Sequence, residues 1–66
     1  MKVIPISIKR KRLEAGLSQE KLALEIGVFQ STVSAWEQGK STPQPKNLKR
    51  ISEALNCSVA DLLDGE

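Results

Sequence analysis

Histidine and tyrosine are absent from this chain of 66 residues, and cysteine, methionine, tryptophan and phenylalanine occur once each. A single cysteine cannot close an internal disulfide, and a lone thiol without histidine makes no metal site, so neither staple common in small domains is at hand. One unpaired thiol suits a reducing compartment, which predicts a cytoplasmic protein. With no histidine, no paired acids on a shared face beside a nucleophile and no glycine-rich phosphate loop, the sequence reads as a non-enzyme without a cofactor. Long apolar runs are missing too. The opening MKVIPISI is broken by Pro5 before it reaches the length of a signal peptide or a membrane span, so a soluble protein with no membrane partner is expected. No sustained strand-like alternation occurs, although Val3 to Ile8 has room to be briefly extended. Repeats, low-complexity tracts and dividing linkers are also lacking, which predicts one domain over residues 1–66.

Basic residues stop at position 50. Residues 1–50 carry all ten Lys and Arg against four acids, and residues 51–66 carry four acids and no base. The net charge of +2 therefore hides a polarised chain. Such a distribution fits one face meeting a polyanion and fits plain solvation about equally well.

Hydrophobic residues make up 39% of the chain, enough for a small helical core. A domain of this size buries only roughly 60% of the surface that its unfolded form exposes, so modest stability is expected. Five short helices are predicted. The first runs from about Ser7 to Ala15 and stops at Gly16, with Ser7 or Pro5 near its start. Ser18 caps the second, which carries Glu20 in its first turn and ends at Gly27. The third spans about Gln30 to Gln38 and is closed by Gly39. Pro45 opens the fourth, whose stripe of Leu48, Ile51, Ala54 and Leu55 stops near Asn56. Ser58 and Asp61 form a capping pattern for a short fifth helix bearing Val59, Leu62 and Leu63. The expected core is Ile8, Leu17, Leu22, Ala23, Ile26, Val28, Val33, Trp36, Leu48, Ile51, Leu55, Val59 and Leu62. Trp36 shares a helical face with Val33 and so belongs to that core, and Cys57 reads as a small buried hydrophobe.

The densest information lies in Ser18 to Lys40, SQEKLALEIGVFQSTVSAWEQGK. Leu22, Ala23 and Ile26 share one face of the first helix here, and Val33, Trp36 and Glu37 one face of the second. Ala23 is small where two helices approach, Gly27 supplies a left-handed turn, and Val28 plugs the corner. That leaves Gln30, Ser31, Ser34, Ala35 and Gln38 facing outward. They are short and uncharged, as suits contact with base edges in a DNA groove.

This pattern resembles the helix-turn-helix of the phage repressor and Cro group, the XRE-like family, over about Ile8 to Leu63. The resemblance implies an all-α, compact five-helix repressor-like DNA-binding domain with the helix-turn-helix in helices 2 and 3. It also implies a sequence-specific regulator of transcription, a repressor, whose partner is double-stranded DNA. Gln30 is then placed to read adenine, with Ser31, Ser34 and Ala35 facing the groove beside it and Ala35 able to meet a thymine methyl. Gln19 is expected on a phosphate, and Gly39, Lys40, Ser41 and Thr42 form a second phosphate clamp, to which Lys46, Lys49 and Arg50 either add or merely lend solubility. Arg12 and Glu37 are expected to pair between helices 1 and 3, directing Arg12 toward a phosphate as well. Phe29 departs from the pattern. Ser or Thr is usual there and caps the recognition helix, whereas Phe29 cannot. Packing on Val28, contact with a sugar or thymine methyl, and contact with a partner protein all stay open for it.

A single module of this kind makes few base contacts, so a homodimer on DNA is expected, with the Val59, Leu62 and Leu63 end as candidate surface. An antitoxin or adaptor that uses the same fold to bind a partner protein is the alternative.

Overall fold

Four α-helices and a 3-10 turn follow one another in the computed structural model, which describes residue 3 and residues 5–63. They are α1 (Pro5–Glu14), α2 (Gln19–Ile26), α3 (Gln30–Glu37), α4 (Pro45–Ala54) and the 3-10 turn Val59–Leu62. Among the described residues the only strand-like feature is an antiparallel bridge between Val3 and Leu63. The expected count of five helices is thus corrected to four. The last segment remains a turn because its bonds close over three residues, from Asp61 N to the Ser58 carbonyl at 3.1 Å and from Leu63 N to the Ala60 carbonyl at 3.2 Å. Leu63 is then extended (φ −105°, ψ 166°) at the bridge to Val3, so the helix cannot propagate.

Local signals account for where the helices begin and end. The Ser18 hydroxyl accepts from Lys21 N, and Ser58 and Asp61 bond reciprocally as a capping box. Pro45 occupies the first turn of α4. All four α-helices stop on the same device, a residue of positive φ: Gly16, Gly27, Gly39 and Asn56. At Asn56, the one non-glycine among them (φ 55°), the next amide, Cys57 N, reaches the Ser52 carbonyl at 2.9 Å and closes the last turn of α4. α1 begins earlier than Ser7, at Pro5, and ends one residue before Ala15.

Ile8, Leu22, Ala23, Ile26, Val33, Trp36, Ile51, Leu55 and Leu62 form one buried cluster shared by all five elements. Leu17, Val28, Leu48 and Cys57 are half-buried against it, and Val59 is also only half-buried. Cys57 is therefore a lid on the core rather than part of it. Burial and the nearby Asp61 carboxylate push its thiol pKa above the usual cysteine value. Leu62 is fully buried, so the surface expected for dimer contacts cannot include it. α3 packs on both α2 and α1, which hold its apolar side and leave the other side outward.

Candidate nucleic-acid interface

α3 is amphipathic over only two turns. Val33 and Trp36 are buried, while Gln30 and Ser31 are exposed and Ser34 and Ala35 are half-buried at its flank. The four expected base-reading residues therefore lie on one helix, clear of its buried stripe. The Ser34 hydroxyl accepts a 2.7 Å hydrogen bond from Gln38 Nε2, a pairing the sequence reading missed. The one-turn spacing of Ser34 and Gln38 is the signal that could have revealed it.

The end of α3 is tied to α1 and α2 by one carboxylate. Arg12 Nε donates to Glu37 Oε2 at 2.7 Å and Arg12 Nη2 to Glu37 Oε1 at 3.1 Å, the two-pronged geometry that suits a guanidinium. Arg12 Nη1 donates to the Leu17 carbonyl at 2.8 Å, and Gln19 Nε2 adds a 3.1 Å bond to Glu37 Oε1. The two charged side chains are 8% and 4% exposed, so this is an interior network. These bonds use one N–H on each guanidinium nitrogen of Arg12, three of its five donors, and hold the group against Glu37 and the Leu17 carbonyl. Gln19, half-buried at the first position of α2, is brought beside the end of α3 by its bond to Glu37.

The segment after α3 is likewise tied back to the helix. Gly39 N bonds to the Trp36 carbonyl at 3.2 Å and Lys40 N to the Ala35 carbonyl at 2.9 Å, while Ser41 N makes a longer 3.4 Å bond to the same carbonyl. These amides close the end of α3, so Gly39, which has no side chain, serves the turn through its backbone. What the segment presents outward is the Lys40 ammonium and the Ser41 and Thr42 hydroxyls, all on exposed residues, before Pro43 turns into the interior. Lys46, Lys49 and Arg50 are all exposed, and Arg50 Nη1 also donates to the Ile26 carbonyl at 3.4 Å, at the negative end of α2.

Phe29 holds the N-cap position of α3 without a side-chain capping bond and is 81% exposed. It does not pack down on Val28, which settles one of the three options left open. Among the described residues, no cluster of His, Cys, Asp and Glu could hold a metal ion, and no helix is long and apolar enough to cross a membrane.

Comparison with known proteins fits this geometry. Residues 8–62 match a family model described as helix-turn-helix. The HTH-type transcriptional activator BcrR of Enterococcus faecalis is 36% identical over 59 residues, 89% of this chain and 29% of that protein. The HTH-type transcriptional regulator DicA of Escherichia coli is 38% identical over 61 residues, 92% of this chain and 44% of the relative. The chain spans less than half the length of these curated relatives. Among solved structures, the repressor of phage P22 in complex with a synthetic operator superposes with a TM-score of 0.89 at 30% identity, covering 100% of both chains.

Proposed function

The chain belongs to the helix-turn-helix family, and from that premise we propose that it binds double-stranded DNA in a sequence-specific way and regulates transcription as a repressor. α3 enters the major groove. Gln30 offers an acceptor and a donor to adenine, Ser31 and Ser34 hydrogen-bond to neighbouring base edges, and Ala35 meets a thymine methyl. Gln19, Lys40, Ser41 and Thr42 grip the phosphates, setting affinity and register without reading sequence. Arg12 works from inside, holding Glu37 and through it Gln19 and the end of α3. Two copies bind a near-palindromic site, their recognition helices about 34 Å apart, one duplex turn.

The observation that carries this reading is the division of α3: one side locked into the core by Val33 and Trp36, the other short, uncharged and hydrogen-bonding. A helix that served only the fold would gain solubility from charges on its outer side, and α3 has none there. The alternative as an antitoxin or adaptor is not carried forward, because the relatives and neighbours named above are transcriptional regulators and a repressor.

Selection from a random duplex library at a stated salt concentration tests the proposal. The expected result is a symmetric enriched site, bound more tightly than random duplex by the protein and not by the Gln30→Ala/Ser34→Ala double variant. Equal affinity of the variant for that site would overturn it.

A further inference from the structure

The most exposed large apolar side chain among the described residues stands at the entrance of the recognition helix. Phe29 is 81% exposed, against 53% to 75% for Ile6, Leu13 and Leu24. Leu24 lines a groove beside Arg50 and Glu53, on the α2–α4 side of the fold. Phe29 alone adjoins the side chains proposed to read bases.

Its direction is set by the backbone. Residue 29 is extended (φ −79°, ψ 152°), and in extended chain neighbouring side chains point to opposite sides. Val28 packs against the core, so Phe29 points away from it. The Phe29 carbonyl accepts from Thr32 N at 3.0 Å and Val33 N at 3.3 Å, which fixes the residue in the first turn of α3. The ring is therefore held outward immediately ahead of Gln30 and Ser31.

Major-groove base edges carry one apolar group that tells bases apart, the methyl on C5 of thymine. Cytosine presents a hydrogen at the same place until it is methylated there. Resting on the groove-reading role of α3, we infer that Phe29 reads the C5 methyl of a pyrimidine at the edge of the site, so that the protein discriminates thymine from uracil and 5-methylcytosine from cytosine. The fold does not otherwise use the ring, which replaces a capping residue and buries almost nothing. At the groove the same ring excludes water from a methyl that polar neighbours cannot satisfy.

The test uses the full chain and the duplex site obtained by selection. Each thymine is replaced in turn by uracil, and at any sensitive position cytosine is compared with 5-methylcytosine. Affinities are measured for the wild type, Phe29→Ser and Phe29→Leu. The expected result is at least one position per half-site where loss of the methyl weakens wild-type binding by about fourfold, the worth of one buried methyl-sized group. In the cytosine arm the added methyl restores affinity by a similar factor. Phe29→Ser loses both differences, and Phe29→Leu keeps part of them. A methyl dependence unchanged in Phe29→Ser would assign the reading to another residue such as Ala35 and overturn the inference. A uniform loss on every duplex would place the ring on the sugar-phosphate backbone and overturn it equally. Failure to bind any selected site above random duplex would instead remove the groove-reading role itself, and the inference with it.

Discussion

Arg12 and Glu37 put two opposite charges where water scarcely reaches, and such a pair gains little over well-packed apolar residues. Its value shows when one partner is removed. Arg12→Met alone leaves the Glu37 carboxylate inside with only Gln19 beside it, and Glu37→Leu strands the guanidinium with the Leu17 carbonyl. Each single variant is expected to lose about 3–5 kcal/mol, and the double variant much less than the sum. Urea melts of the four proteins check this; additive, near-neutral singles would show that the pair is not coupled. Phe29 gives the opposite expectation. Phe29→Ser restores an acceptor at the N-cap of α3 and gives up almost no buried area, so it should stabilise the protein by about 1 kcal/mol. A raised melting temperature together with lost methyl discrimination would show a residue kept for recognition against the interest of the fold.

Helix boundaries were largely legible because single residues dictate them. Ser18, Gly27, Gly39, Pro45 and Asn56 each act through their own backbone or side chain, whatever the rest of the chain does. The buried faces of α2 and α3 were equally plain, since Leu22, Ala23, Ile26, Val33 and Trp36 recur at helical spacing. Less visible was anything requiring two distant residues to meet. The Arg12–Glu37 pair was expected only from the resemblance; nothing near Arg12 in the sequence announces that the Leu17 carbonyl and Gln19 join it, and nothing in Gly39 to Ser41 tells whether the amides face solvent or fold back on α3. The last element failed for a similar reason: its capping box was readable, whereas the bridge from Leu63 to Val3 that ends it was not. That capping box has a pH signature. The Ser58 backbone amide, and after it the Ser58 hydroxyl, hold the Asp61 carboxyl below its ordinary value of 3.8. A depressed folded pKa stabilises the protein fully above the unfolded value and ceases to do so as pH falls through the folded one. Wild type is therefore expected to exceed Asp61→Ala in stability near neutral pH, with the gap narrowing as the pH falls below 3.8. Urea melts at the two pH values check it, and a gap that stays constant would remove the ionic part of the cap.

Across the whole molecule, charge and hydrogen bonding divide the proposed work between affinity and specificity. Every base lies in residues 1–50 and four of the eight acids in residues 51–66, so the chain has a positive body and a negative end. Of those four acids, Glu53 lies in α4 and Asp61 in the 3-10 turn, which packs on α1 and α4. A polyanion approaching such a distribution is oriented before it touches, and the gain weakens with salt as condensed counterions are released. Lys40 belongs to this electrostatic part and Gln30 does not, which separates them experimentally. Lys40→Ala should weaken binding to specific and random duplex by the same factor and reduce the slope of log K against log salt by about one. Gln30→Ala should leave that slope unchanged while cutting the preference for the selected site over random duplex by about 1–3 kcal/mol. Titrations of both variants on both duplexes at several salt concentrations measure the two quantities independently. If Lys40→Ala shifted preference and Gln30→Ala shifted the slope, the end of α3 would be reading bases and its start gripping phosphate, and the orientation proposed for the helix in the groove would have to be reversed.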